Sequence, residues 1–414
     1  MKDEQMPLDD QARAILTGND RGGYTVPTDG LYPYQWNWDS AFAAWGFSHF
    51  DIDRAWTELE TLISGQWSDG MIPHILFHRP DPGYFPGPDV WQGRGPIPSS
   101  GITQPPVAAS FARRIHQADP GQSRLKALWP ALRRWHDWFM AWRLDDGNAV
   151  CVTHPWEAGR DNAPDWDAAL KHVDPTGVGP YQRRDTGHVD PAMRPTAFDY
   201  DRYIKLVQVG VQHGWDHAAL KRHTPFRVAD PTMTFILLRA QRDLLETGTE
   251  LGLDTSGLPD AIARLEDGAR SLFNPTIQSY DSRDVRTGRW AGGISNAAFL
   301  CWYGGLTDDR MRDVLERVGL TSRYALPSYD PASSLHEPLR YWRGPVWPIM
   351  NYLVGIGLEE QGLTDQAARL RADTRALIEA GGFAEYYHPQ TGQPAGGGTF
   401  TWTAAVWLGW AGRG

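Results

Sequence analysis

With 414 residues, a net charge of −10 and no basic stretch, the chain has room for several ordinary domains or one large toroid, and it lacks the positive surface that nucleic acid requires. The partner this balance allows is a neutral or weakly anionic small molecule. Only Cys151 and Cys301 are present, 150 positions apart and with no Cys-x-x-Cys pair, and no run of eighteen apolar residues is found; no disulfide, metal, cofactor or membrane partner is expected, and a cytoplasmic location is.

Hydrophobic spacing predicts a leading helix over 8–18, then a segment Asp20–Pro27 whose Gly22–Gly23 pair marks either a tight turn or a close backbone approach. The stretch Leu31–Phe42 gathers aromatics ahead of Asp39, a residue that can start a helix. Helical patterns then run over 39–48, 51–64, 103–118, 122–143, 199–214, 230–247, 258–273, 294–303, 307–318, 344–361, 364–381 and 399–411. No alternating run is long enough for a large sheet. Sequential helices joined by loops make antiparallel pairs, and six pairs close into an all-α (α/α)6 barrel whose inner-helix N-terminal loops shape a funnel at one end. An α-solenoid is the alternative, but no fixed-period repeat is present. The chain is expected to form one domain over 1–414, with the Pro/Gly-rich loops 79–98 and 175–195 as mobile lids.

The 20 Trp divide by context. Those at helical spacing, such as Trp135, Trp138 and Trp142, read as packing, whereas Trp36, Trp38, Trp67, Trp91, Trp156, Trp166, Trp342 and Trp402 lie in Gly/Pro-broken loops. The densest such loop is Thr153–Asp167, which holds Glu157, Asp161, Asp165 and Asp167 beside Arg160, Trp156 and Trp166. Carboxylates accept hydroxyl hydrogen bonds and indole faces cover the C–H faces of a sugar ring, so this composition suits a polyhydroxylated ligand. A solvated acidic loop capping a helix is the bland reading; three further stretches of the same kind favour a shared pocket. They are Trp36–Asp39, Tyr341–Trp347 and Gly382–Gly392.

Together Trp36-Asn-Trp-Asp39, Glu157-Ala-Gly-Arg-Asp-Asn162, Tyr341-Trp-Arg-Gly-Pro-Val-Trp347 and Phe383-Ala-Glu-Tyr-Tyr-His-Pro-Gln-Thr-Gly392 resemble, in order and over nearly the whole chain, the motifs of glycoside hydrolase family sixty-three. Asp20–Pro27 and Leu31–Phe42 are most similar to its branch acting on mannosylglycerate and glucosylglycerate. The resemblance implies inverting hydrolysis of an α-linked hexose from glycerate, with Asp161 as general acid and Glu385 as general base. It also implies a substrate pocket bordered by Tyr24, Trp36, Trp38, Asp39, Gln66, Gln104, Trp156, Glu157, Tyr341, Trp342, Arg343 and Trp402, with Arg194 and Tyr200 at the acid end of the substrate.

Inverting hydrolysis needs two carboxyls on separate loops, one protonated to donate to the leaving oxygen and one ionised to activate water. Crowding by Glu157 and Asp165 would raise the proton affinity of Asp161, while Arg160, pointing inward, would lower it; the sequence leaves that balance open. Two rivals remain: an epimerase or isomerase using paired His, for which His74, His78, His154 and His172 are candidates, and a sugar-binding module that needs no paired carboxyls. The choice of glucose or mannose, and assembly into a homo-oligomer, are left open.

Overall fold

The computed structural model describes residues 6–121 and 123–413. In chain order the principal helices are α1 (Leu8–Asn19), α2 (Asn37–Phe47), α3 (Ile52–Ser64), α4 (Ala108–Ala118), α5 (Arg124–Trp142), α6 (Ala197–Gln212), α7 (His217–His223), α8 (Pro231–Glu250), α9 (Leu258–Ser271), α10 (Leu300–Tyr303), α11 (Arg310–Val314), α12 (Pro348–Glu360), α13 (Thr364–Gly381) and α14 (Thr401–Val406). Burial separates them into two classes. Every residue of α2 is buried and nearly every residue of α12, whereas α3 buries one stripe (Ala55, Trp56, Leu59, Leu62) and α13 another (Ala367, Leu370, Thr374, Leu377, Ile378). A helix apolar all round belongs inside, and one with a single stripe belongs at the rim.

The packing follows that rule and gives an (α/α)6 barrel. α2, α4, α8, α10, α12 and α14 each touch the next, and α14 returns to α2, closing the inner ring. Outside it α3 lies on α2, α5 on α4, α9 on α8 and α13 on α12; α11 follows α10 in chain order. The sixth outer position, against α14, is filled from the other end of the sequence by α1.

Among the described residues sheet structure is confined to two-residue strands, several of which brace the N-terminal ends of inner helices. Trp36 pairs with Ile75 just before α2, and Val228–Ala229 lies between Cys151–Val152 and Arg283–Asp284 just before α8. Helix starts shift where such pairing competes. The spacing predicts a helix from 344 with Pro345 in its first turn, but Val346 exchanges backbone hydrogen bonds with Tyr387 at 2.8 and 2.9 Å, so the helix begins at Pro348. Similarly, 103–107 stays outside the helix, which begins at Ala108. Position 122, the expected start of the fifth helix, lies outside the described residues. The Asp20–Pro27 segment is a tight turn: Gly22 and Gly23 have φ of 81° and 128°, and their N–H groups donate to the Asp20 carboxylate. Among the described residues no helix is long and apolar enough to cross a membrane.

Candidate active site

The loops at the N-terminal ends of α2, α12 and α14, with segments between α5 and α8, surround a cavity of about 850 Å³ including its open mouth. Trp36, Trp38, Trp156, Trp402 and Phe400 supply flat apolar faces, and Asp39, Asp161 and Glu385 supply carboxyls. The two long loops form its roof, where Phe85 stacks on Tyr181 at 4.8 Å and Asp81 accepts from both Nη atoms of Arg184 at 2.8 and 2.6 Å.

Asp161 follows a one-turn 3-10 helix, Pro155–Ala158, started by His154, whose Nδ1 accepts from Trp156 N–H at 3.1 Å. Gly159 ends that turn at φ 68°, and a Cβ there would sit 2.5 Å from the Trp38 ring, so only glycine lets the acid loop lie on that indole. The backbone around Asp161 is clamped: Tyr203 Oη donates to its carbonyl at 2.7 Å, Trp166 Nε1 to the Arg160 carbonyl at 2.6 Å, and Trp342 N–H to Asn162 Oδ1 at 3.0 Å. Its carboxyl faces the cavity and keeps part of its surface open to it. Loss of bulk water pushes its pKa up to about 7, with Arg194 opposing and Glu385 and Asp185 adding to the rise.

Glu385 is fully buried by area and held from both sides. Its Oε1 accepts from Tyr32 Oη at 3.2 Å, its Oε2 from Gly397 N–H at 3.2 Å, and Arg194 Nη1 stands 4.0 Å from Oε2. Gly396, at φ 76°, leaves room for that carboxylate, which a Cβ would overlap at 2.2 Å. Burial raises the proton affinity of Glu385, and Arg194, Gly397 N–H and Tyr32 work against it. Both carboxyls are raised by burial and opposed by Arg194, but they are unequally supported: Glu385 also accepts from Tyr32 and Gly397, whereas among the described residues Asp161 has no side-chain donor. Asp39, in the first turn of α2, is pushed well above the usual carboxylate range by burial and then by Glu385 and Asp161.

Of the residues read from sequence, Asp161, Glu385, Trp36, Trp38, Asp39, Gln104, Trp156, Arg194, Tyr200, Tyr341 and Trp402 line this cavity. Five others do not, and the expectation that they border a ligand is corrected. Tyr24 stacks on His78 at 4.2 Å. Gln66 is occupied by the carbonyls of Gly70 and Ala131, both at 2.8 Å. Glu157 turns into the protein, where it meets Arg143 at 2.8 Å and accepts from Thr153. Trp342 lies behind the wall, stacked on Trp347 at 3.8 Å, and Arg343 grips Asp167 at 2.8 and 3.0 Å. Arg160 also points away from the cavity, into Asp165 and Asp230, both at 3.1 Å. Glu157 and Asp165 are therefore neutralised by arginines, and desolvation, not crowding within the loop, raises Asp161.

Several lining residues escape the sequence reading: Tyr32, Tyr84, Phe85, Arg184 and Asp185. Tyr32 had a signal, since it stands in the aromatic run before α2, and Arg183-Arg184-Asp185 is a charged triplet inside a loop read as a lid. Tyr341 has φ 39°, rare for an aromatic residue, and is fixed there by Trp347 Nε1 donating to its carbonyl at 3.1 Å. Of the four candidate histidines only His74 reaches the cavity wall, where burial and then His154 hold its pKa well below the ordinary value. A paired-histidine epimerase has no second partner there.

A helical toroid with opposed carboxyls in an aromatic pocket at one mouth is the architecture of a glycoside hydrolase. The mannosylglycerate hydrolase MGH1-like glycoside hydrolase domain matches residues 32–403. The chain belongs to that family and is a glycoside hydrolase. It is 43% identical to the mannosylglycerate hydrolase of Thermus thermophilus over 97% of this chain and 99% of that one. It is 35% identical to the glucosylglycerate hydrolase of Mycolicibacterium hassiacum over 97% of each. The structure superposes on the crystal structure of a GH63 mannosylglycerate hydrolase from Thermus thermophilus in complex with Tris and D-glycerate, with a TM-score of 0.93, 43% identity and coverage of 97% and 99%.

Proposed function

We propose that the whole chain acts as one catalytic domain that hydrolyses the α-glycosidic bond of mannosylglycerate or glucosylglycerate with inversion, releasing the hexose and glycerate. The observation that carries the mechanism is the inequality of the two carboxyls. Asp161, its pKa raised to about 7, keeps its proton in a large share of the molecules at neutral pH and gives it to the glycosidic oxygen as the C–O bond breaks. Glu385, beside Arg194, takes a proton from water as that water's oxygen bonds to the anomeric carbon from the opposite face. The balance is one water consumed and one hexose and one glycerate formed.

In this reading Asp39 and Gln104 accept and donate to sugar hydroxyls, and Trp36, Trp38, Trp156 and Trp402 cover the ring. Arg194 and Tyr200 receive the glycerate end. Arg21, Arg94 and Arg343, the other arginines that could read a carboxylate, pair with Asp29, Asp69 and Asp167 and do not line the cavity. The relatives' substrates support the glycerate aglycone.

The test is incubation with each glycosylglycerate, followed by proton NMR. Early appearance of the β-anomer is expected; an α-anomer first would establish retention, and binding without turnover would leave a sugar-binding protein.

A further inference from the structure

Among the described residues two arginines line the cavity, and they differ in what remains free. Arg184 gives both Nη atoms to Asp81. Arg194 gives Nε to Asp185 Oδ2 at 3.0 Å and Nη2 to Tyr32 Oη at 2.9 Å, while Nη1, buried and 4.0 Å from Glu385 Oε2, makes no hydrogen bond. Asp185 is itself fixed by Arg183, whose Nε and Nη2 donate to its two oxygens at 3.0 and 2.7 Å. Arg183 in turn donates to the Pro195 carbonyl at 2.7 Å and lies 4.2 Å over the Tyr200 ring. The guanidinium of Arg194 is thus aimed by a braced carboxylate, and a bidentate grip on its Nε edge is already taken.

We propose that Asp185 is a positioning residue for the aglycone: it holds the Nε edge of Arg194 so that Nη1 alone is presented to the acid end of a short hydroxy acid. This rests on the glycosylglycerate reading above and adds to it the residue that sets the preference for an acid.

Asp185 has a second effect through charge. Asp161 faces Arg194 and Asp185 from the 175–195 loop, Glu385 and Asp39 from the opposite loops, and the phenols of Tyr32, Tyr200, Tyr203 and Tyr341. Asp185 is ionised, held near pKa 2 against burial by Arg183 and Arg194, so it partly cancels the cation that would otherwise strip the proton from Asp161. Removing its charge should therefore make Asp161 a stronger acid.

The experiment compares glycosylglycerate with neutral glycosylglycerol for wild type, Asp185→Asn and Asp185→Glu, over pH. The Asn variant should shrink the preference for the acid by about tenfold, mainly through KM, and move the alkaline limb of kcat/KM to lower pH. The Glu variant should return the limb towards its wild-type position. An acid preference within about twofold of wild type overturns the proposal, as does an equal loss on both substrates with the limb unmoved, which is the mark of a structural role. Thermal melts and calorimetric D-glycerate binding accompany each variant. If the Asn variant fails to fold, unchanged preference and D-glycerate affinity in the Glu variant overturn the proposal, and weaker values with the limb kept support it. Failure of the underlying reading looks different: wild type would then neither hydrolyse glycosylglycerate nor bind D-glycerate.

Discussion

Glu157 and Asp161 are four residues apart on one loop and end in opposite surroundings: Glu157 is buried against an arginine, and Asp161 faces the cavity. Glu157 meets Arg143 at 2.8 Å and accepts from Thr153 N–H and Oγ1 at 2.6 and 2.9 Å. Asp161 receives no comparable partner, and its pKa rises to about 7. Just beyond, Asp165 and Asp230 share Arg160. Burial alone does not make a catalytic acid; withholding the counter-charge does, and the arginines assigned to the neighbours accomplish this.

The largest effect that could break this contrast is on turnover. Asp161→Asn and Glu385→Gln keep shape and remove proton chemistry, so kcat should fall by about 10²–10⁴-fold or more with little loss of stability. Steady-state kinetics within a few-fold of wild type for either would remove that residue from the mechanism. Glu157→Gln addresses the other side. It leaves Arg143 buried and uncompensated and should cost on the order of 3–5 kcal/mol of stability by denaturant melts. A neutral outcome would mean that the pair does not secure the loop.

A pH dependence sharpens the same comparison. The raised pKa of Asp161 means that the folded state pays for its charge, a cost absent below pH about 4 and growing as pH rises towards about 7. Asp161→Asn should therefore stabilise the protein by on the order of 1–3 kcal/mol at pH 8 and by nothing measurable near pH 4. Equal melting shifts at both pH values would contradict the raised value. For activity, kcat/KM should decline above pH about 7 as Asp161 loses its proton.

The smallest effect is expected at Arg343. Its pair with the partly exposed Asp167 lies outside the cavity, so Arg343→Gln should shift stability by about 1 kcal/mol or less and leave KM within a few-fold. A KM increase of a hundredfold would return this residue to the substrate.

Sequence conveyed the barrel well because inner and outer helices differ in a property written along the chain: α2 is apolar on all faces and α3 on one. It conveyed the acid loop and base loop because each concentrates charge, aromatic and Gly/Pro residues. What it could not convey was direction. Glu157 and Asp161 have the same composition around them, and the residue that separates them, Arg143, sits in a different segment. Gln66 fails for the same reason, since the Ala131 carbonyl claims it from elsewhere, whereas Trp342 is turned behind the wall by Trp347 of its own stretch, a direction that composition does not give. Asp185 went unread because its importance depends on Arg194 and Arg183 folding onto it.

The pairing of α1 with α14 sets an order of events during synthesis. Asn19 Nδ2 donates to the Thr399 carbonyl and to Thr401 Oγ1, and Trp407 Nε1 donates to Asp9 Oδ1, so the first helix is held by partners made nearly four hundred residues later. The five other inner helices can be laid down in sequence, but the ring stays open until this later segment arrives. Glu385 belongs to that last segment. A growing chain therefore carries its acid long before its base, and the reaction centre and the closed barrel are completed by the same final stretch of polypeptide.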